Sequence, residues 1–450
     1  MNLLLDVLCD QRLVGRLTYD PTQDQFDFSY DAAWRADPAS FALSPALPLA
    51  RPADGYAVGA VRRFVENLLP EGRGLDMAAA THQVSKNNIF GLIAALGAET
   101  AGALSFRMQA PPDAPAAASA QRARRLLSLE ELRARIRDRA GLPFAVWDGK
   151  VRLSVPGYQD KLPVFRDADG QFYLAEPPLA STHLLKPEPT DPKMAGLVAN
   201  EHFCMSLAQR LGLPAAPVEI LRLPEPVLVV TRFDRQVLME ADGVRVRKRH
   251  IIDGCQGTDR AVSAKYERNF GSGKDVAHIR DGVSLPALFG AAQAFTVHKA
   301  TARMALLRWA LFQLVIGNSD AHGKNYSFFV EPAGLQAAPW YDLVSVVQYN
   351  HLSANLAMAY GDEFDLAKVR AFDMASFAYR CGISLALLAR EMRALAERVL
   401  DHARPLARDP TYVDGEQAVT NRIADYCEQQ AERLRGFLPL MRGIDADDLQ

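Results

Sequence analysis

The chain has 450 residues, 49% of them hydrophobic, 23% charged and 8% aromatic, with a formal net charge of −2. These values fit a globular protein and exclude collagen-like, disulfide-scaffold and wholly disordered chains. At about 150 residues per domain the length suggests two or three domains, and the near-zero charge gives no general electrostatic reason for nucleic acid as the main ligand. The basic run Arg245-Val246-Arg247-Lys248-Arg249 reads as a solvated strand or loop. Five scattered cysteines, Cys9, Cys204, Cys255, Cys381 and Cys427, form no CxxC pair. They argue against a disulfide framework or a thiolate zinc site and fit a reducing compartment. The opening Met1-Asn2-Leu3-Leu4-Leu5-Asp6 lacks a basic flank and a long apolar core. The longest apolar stretches, 304–307 and 309–316, are broken by Arg308 and Gln313. They fall short of the roughly 20 residues of a membrane span. A cytoplasmic protein with no membrane partner is expected.

In chain order, residues 2–30 read as a β meander. Leu3, Leu5, Val7, then Leu13, Val14, Leu17, then Phe26, Phe28, Tyr30 alternate with polar positions, around a turn at Cys9-Asp10-Gln11. From 61 to 97 the period is helical. Phe64, Leu68 and Leu69 precede Pro70, and Ile89, Leu92, Ile93 and Leu96 precede Gly97 as a stop. Residues 110–121 form an alanine- and proline-rich spacer. A helix restarts at Ser128-Leu129-Glu130-Glu131, a capping box. Strands are expected at 151–155, 162–165, 172–174, 183–186, 218–223 and 227–230. One helix interrupts them, capped by Asn200 and carrying Phe203, Leu207, Ala208 and Leu211 before Gly212. Beyond 285 the pattern is almost wholly helical, apart from strands near 326–330 and 335–338.

The sharpest chemical signal is Ile316-Gly317-Asn318-Ser319-Asp320-Ala321-His322-Gly323-Lys324-Asn325. Polar residues follow a core helix and precede an aromatic strand, so the loop is a rigid platform. Asp320 and Asn325 have the Asp-x-x-x-x-Asn spacing of the protein-kinase catalytic loop. There the aspartate takes the hydroxyl proton and the asparagine binds magnesium. A second acid, Asp342 in Trp340-Tyr341-Asp342-Leu343, stands in the place of the kinase metal-binding aspartate. The alternatives are turn-closing acids and a metal-dependent hydrolase that uses Asp320 and His322 as ligands. Upstream, Leu153-Ser154-Val155-Pro156-Gly157-Tyr158-Gln159-Asp160-Lys161 joins two strands and could lay amides and an ammonium against phosphates, or be a plain hairpin. Lys186 ends His183-Leu184-Leu185-Lys186, where alternation would turn a cation toward a cleft, and Glu201 could pair with it or serve as a first-turn acid.

These segments, in this order, resemble the HipA family of bacterial serine/threonine kinases, the toxins of HipBA-type toxin–antitoxin pairs. The resemblance runs from the meander to about residue 440. It is carried by Glu66-Asn67-Leu68-Leu69-Pro70-Glu71-Gly72, the loop 154–161, Thr231-Arg232-Phe233-Asp234-Arg235, the loop 320–325 and Tyr341-Asp342. The fold implied is α+β, a bilobal protein-kinase-like fold with a β-rich N-terminal subdomain and a mostly helical C-terminal lobe. The divisions would be 1–109, the linker 110–127, an N-lobe 128–240 and a C-lobe 241–450.

The resemblance implies ATP and Mg²⁺ as cofactors and Asp320 as the catalytic base, with Asn325 and Asp342 on the metal. Val155, Pro156, Gly157, Tyr158, Gln159, Asp160, Lys161 and Lys186 would hold ATP phosphates, and Thr231, Arg232 and Phe233 the adenine. His322, Gly323, Lys324 and Tyr341 would line the same site, and Ser154 would be the autophosphorylated serine that switches the kinase off. Thr231 stands where well-known members carry an acid. The implied partners are a HipB-like helix-turn-helix antitoxin, operator DNA reached through it, and a translation-related protein substrate such as an aminoacyl-tRNA synthetase. Phosphorylation of that substrate would arrest growth and promote persistence. A catalytically silent scaffold for repression and a small-molecule phosphotransferase are the alternatives.

Overall fold

The computed structural model describes residues 2–109, 124–139, 141–152, 159–240, 243–413, 415–444 and 446–449. The spacer 110–121 and the loop residues 153–158, including Ser154, lie outside them. The chain divides into two compact units. One comprises Met1–Pro187, Leu221–Ile252 and Phe329–Gly334; the other comprises Glu188–Ile220, Asp253–Phe328 and Leu335–Gln450.

In the first unit the meander is an antiparallel sheet, in the order Gln25–Tyr30, Arg12–Asp20, Leu3–Cys9, Leu104–Met108. Its first hairpin turns through Asp10 and Gln11, with φ of 45° and 73°. A two-residue turn with both φ values positive matches the natural twist of the paired strands. Gly15 sits opposite Tyr30 in this sheet, and a Cβ there would lie 2.3 Å from the Ser29 carbonyl. Helices Ala60–Glu66, Gly72–His82 and Ile89–Leu96 follow, the last stopping at Gly97.

A second sheet runs Val218–Arg222, Pro226–Thr231, His183–Pro187, Leu162–Arg166, Phe172–Ala175, Arg124–Leu127. Its core includes Leu162, Val164, Leu174, Leu185 and Val229, covered by Leu132 and Ile136 of the helix Leu129–Arg137. That helix has its capping box: the Ser128 hydroxyl accepts the Glu131 N–H at 3.1 Å, and the Glu131 carboxylate accepts the Ser128 N–H at 3.0 Å. Burial along His183–Pro187 is continuous rather than alternating, because the strand lies inside the sheet with neighbours on both sides. The basic run lies on the strand Gly243–Lys248, paired with Arg235–Glu240, and Arg245 and Arg247 are exposed.

The second unit is mainly helical, with helices Leu197–Arg210, Leu285–Phe295, Lys299–Ile316, Ala371–Arg380, Leu385–Ala407 and Glu416–Met441. Two expectations are corrected here. The helix expected to be capped by Asn200 begins at Leu197 after Gly196 (φ 80°). Its first amides are taken by a carboxylate from outside the helix, as Glu188 accepts the N–H groups of Gly196, Leu197 and Val198. Asn200 is interior, and its side chain bonds both backbone groups of Ser345, at 3.0 and 2.8 Å. Glu201 is therefore a buried second-turn residue rather than a first-turn acid. In the region expected to be helical, Asn355–Tyr360 and Glu363–Asp365 form a hairpin closed at Gly361 (φ 63°). Leucine, alanine and methionine make the first strand look helical, but tertiary burial from Leu356 to Tyr360 overrides that preference.

All five cysteines are buried and none is in a disulfide, and burial foremost pushes the Cys9 thiol up to about 11. Among the described residues no helix is long and apolar enough to cross a membrane.

His250 makes the first unit acid-sensitive. Its Nε2 meets the Leu43 carbonyl at 2.9 Å and its ring stacks on Phe41 at 4.8 Å. Burial lowers its pKa to about 4. The unfolded chain protonates this ring near pH 6.5 and the folded one does not, so stability is full above that value and declines as the pH falls toward 4. The loss at the lower end is on the order of 3 kcal/mol. Urea midpoints of the wild type should drop over that interval, and those of His250→Gln should drop less; parallel curves would contradict the assignment.

Candidate active site

The buried helix Lys299–Ile316 delivers the polar loop. From Leu306 to Ile316 only Arg308 is exposed, and it pairs with Glu391 at 2.8 Å. A helix apolar on nearly every side belongs in a core. It stops at Gly317, with φ 67°, where a Cβ would lie 2.5 Å from Val347 and 2.6 Å from Tyr426. Glycine is required there for both conformation and space.

Beyond the stop, the loop is wired to itself. Asn318 Nδ2 donates to Gln313 Oε1 at 2.8 Å, and Asn318 Oδ1 accepts the Asp320 N–H at 3.2 Å. The His322 N–H lies 2.8 Å from the Asp320 carbonyl and 3.1 Å from Asn325 Oδ1. Asn325 closes a single 3₁₀ turn, Gly323–Asn325, and its Nδ2 donates to Asp342 Oδ2 at 2.9 Å. Sequence positions 17 apart are thus in direct contact. Asp342 has φ 57°, a left-handed conformation that aspartate tolerates better than most residues. The preceding Tyr341 anchors it: its hydroxyl donates to the Lys324 carbonyl at 2.6 Å and lies 2.7 Å from Ser327 Oγ. Burial raises the pKa of Tyr341, so the phenol stays protonated as a donor.

Asp320 itself is exposed while His322, Lys324 and Asn325 are buried around it. The Lys324 ammonium meets Asp253 Oδ2 at 2.6 Å, both side chains nearly enclosed. Gly323 packs against Val283, where a Cβ would be 2.8 Å away, and its N–H donates to the Lys265 carbonyl at 2.9 Å. Tyr266 donates its hydroxyl to Asp320 Oδ1 at 2.7 Å. Tyr266 and Asp253 were not singled out from sequence, since no local spacing links them to residues 54 and 71 positions away.

The donor set fits a hard cation. Magnesium needs one or two carboxylates, with water and phosphate completing its shell. The Asn325–Asp342 contact, made by the amide nitrogen, sets an amide and a carboxylate side by side, and the amide oxygen, the atom a cation would take, retains a second lone-pair direction beyond its backbone bond. A hydrolase built on Asp320 and His322 needs a third ligand. Among the described residues no group of three or more His, Cys, Asp or Glu side chains could hold a metal.

In the first unit, Lys161 and Lys186 are buried, at the start of Leu162–Arg166 and within His183–Pro187. Thr231 ends its strand opposite His183, and the Arg232 N–H donates to the Thr182 carbonyl at 2.9 Å. The charged side chains that follow are turned into a buried cluster. Asp234 receives Arg232 at 3.0 and 2.8 Å, Arg235 at 2.7 Å and the Gly102 N–H at 2.8 Å. Arg235 also donates to the carbonyls of Thr100 and Gly102, each at 2.8 Å. Glu99 Oε1 accepts the Ser181 hydroxyl at 2.7 Å and lies 3.3 Å from Arg232. Two guanidinium groups face two carboxylates, and the Lys248 charge also acts on Glu99. Burial pushes the Asp234 carboxyl up, but the Arg232 and Arg235 charges outweigh it and hold it far below the ordinary range. The guanidinium of Arg232 therefore serves the protein's own fold.

Comparison with known proteins decides the family. Residues 5–107 match the model of the HipA N-terminal domain, and residues 153–406 match that of the HipA-like C-terminal domain. The serine/threonine-protein kinase toxin HipA of Shewanella oneidensis is 39% identical over 449 residues, 99% of each chain. The chain belongs to the HipA family. A protein of Sinorhizobium fredii is 34% identical over 437 residues, 96% of this chain and 98% of its own. The solved Shewanella oneidensis structure of HipA with HipB and operator DNA superposes with a TM-score of 0.86. It is 38% identical and covers 98% of this chain and 100% of that one. The α+β, kinase-like fold class and the family's serine/threonine kinase activity follow from these matches. The loop with Asp320, His322 and Asn325, and Asp342 beyond it, all lie in the C-terminal match, whereas Glu99 and Gly102 lie in the N-terminal one.

The buried cluster ties segments from both matches, so its loss should be felt broadly. Asp234→Asn leaves two buried guanidinium groups undercompensated and should destabilise the protein by about 3–5 kcal/mol. Chemical denaturation measures this, and a change below about 1 kcal/mol would show that the cluster is not the clamp described.

Proposed function

We propose that this chain is an ATP- and magnesium-dependent serine/threonine protein kinase and the toxin of a type II, HipBA-type toxin–antitoxin module. The observation that carries the reading is the Asn325–Asp342 contact, beside an exposed Asp320 on the same wired loop. In this reading Asp320 takes the proton from the substrate serine or threonine hydroxyl as its oxygen attacks the γ-phosphorus. Asn325 and Asp342 hold magnesium, which when bound neutralises charge on the transferring phosphoryl group. Lys161 and Lys186 bind ATP phosphates together with residues 155–160, and the backbone at Thr231, Arg232 and Phe233 takes adenine. His322, Gly323, Lys324 and Tyr341 shape the loop at which transfer occurs.

The functional divisions are 1–109, 110–127, 128–240 and 241–450. Self-inactivation proceeds by phosphorylation of Ser154, since a dianion at the base of a phosphate-binding loop opposes a second polyanion. The partner is a HipB-like helix-turn-helix antitoxin, through which the complex reaches operator DNA; the similar Shewanella structure holds HipA together with HipB and operator DNA. The substrate is a translation-related protein, with an aminoacyl-tRNA synthetase as the leading class. Its phosphorylation in the cytoplasm arrests growth and supports persistence.

Incubation with labelled ATP and magnesium, with phosphosite mapping on this chain and on cell lysate, tests the reading. Asp320→Ala should lower transfer by about 10²–10⁴-fold and abolish growth inhibition without altering the melting temperature. Undiminished transfer in that variant would remove Asp320 as the base. Repression by a wild type that transfers no phosphate would establish the scaffold reading instead.

A further inference from the structure

The segment 253–283 meets the loop that carries Asp320 at a defined point. The Tyr266 hydroxyl donates to Asp320 Oδ1 at 2.7 Å, and its ring stands edge-on to His322 with centroids 5.2 Å apart. The backbone on either side is fixed. Lys265 C=O accepts the Gly323 N–H at 2.9 Å, and the Glu267 N–H donates to Ala357 C=O at 2.9 Å. The Ala357 N–H in turn donates to Ser319 C=O at 2.8 Å, one residue before Asp320.

The Glu267 side chain strengthens this platform. It is 2% exposed and accepts the Ala359 N–H at 2.8 Å and Arg280 Nε at 2.6 Å. Arg280 also reaches the Gly361 carbonyl at 3.0 Å. From behind, Gly282 packs so closely that a Cβ would lie 1.8 Å from the Tyr266 carbonyl. A tyrosine held this way is neither a lid nor a mobile cover. It is a fixed donor aimed at one carboxylate oxygen.

We propose that Tyr266 is a positioning residue for phosphoryl transfer: it holds Asp320 Oδ1 so that Oδ2 takes the substrate hydroxyl. This rests on the kinase reading above. In the step concerned, the hydroxyl oxygen bonds to the γ-phosphorus and the bond from that phosphorus to the β–γ bridging oxygen breaks. ADP leaves with the electron pair, and the hydroxyl proton passes to Oδ2. A carboxylate that rotates freely offers the accepting oxygen in the productive direction only part of the time. A charge-assisted hydrogen bond from a rigid donor removes that freedom.

The test uses the full chain and label incorporated from ATP into the protein itself, with the maximal rate and half-saturating ATP concentration measured separately. Tyr266→Phe keeps the ring against His322 and removes only the donor. Its maximal rate should fall about tenfold or more, with the half-saturating ATP concentration within about twofold of wild type and the melting temperature unchanged. A rate within twofold of wild type would overturn the proposal. So would a loss matched by weaker ATP binding or a lower melting temperature, since that marks a structural role. Absence of label in the wild type and in Asp320→Asn alike would bring down the kinase reading itself, and this inference with it.

Discussion

One side-chain amide holds the candidate site together. Asn325 accepts the His322 N–H with its oxygen and donates to Asp342 with its nitrogen, so the loop's turn and the later acid share a single planar group. The geometry of an amide is rigid, and its two functions point in different directions. Fixing the turn therefore also fixes where the second carboxylate stands. The left-handed backbone at Asp342 is sustained in the same way, because the buried Tyr341 hydroxyl is tied to Lys324 on that loop. An isolated loop of this composition would sample many shapes. Here the buried helix on one side and the buried strand Ser327–Glu331 on the other leave it one.

Charge is handled differently in the two units. In the first, Arg232, Asp234 and Arg235 are buried beside the partly exposed Glu99, and these ionised groups satisfy one another along with backbone carbonyls and amides. Such a cluster is weak evidence for added stability, because desolvation opposes the attraction. Its geometry is demanding, however, and that demand fixes how the segment around Gly102 meets the end of the Thr231 strand. In the second unit the proposed base, Asp320, is at the surface, and His322, Lys324 and Asn325 are enclosed. At the surface that carboxylate is within reach of a hydroxyl on a large partner.

Local signals were legible in the sequence and distant ones were not. Period-two alternation located the three strands of the meander, and Ser128 with Glu131 located a helix start to the residue. Asp320 and Asn325 stood out because five residues fit within one wired turn. The helix placed at Asn200 starts earlier because its cap is Glu188, whose carboxylate arrives from outside the helix where no capping pattern looks for it. The strand Asn355–Tyr360 carries residues that favour helices, and only its burial on both faces makes it extended. The spacer and Ser154 fall outside the described residues.

The same distinction explains why Tyr266 escapes a reading by motif. A motif is a set of residues whose spacing survives because the chain between them is short and rigid. Tyr266 reaches Asp320 across 54 positions, through a segment whose register is set by Gly282, Glu267 and Arg280. Each of those contacts is long-range, so no window of sequence contains the reason for the tyrosine's position. What the catalytic-loop spacing specifies is which carboxylate is available. What the distant platform adds is a donor on one of its two oxygens, and in the proposed proton transfer the direction of the other matters as much as the presence of the acid.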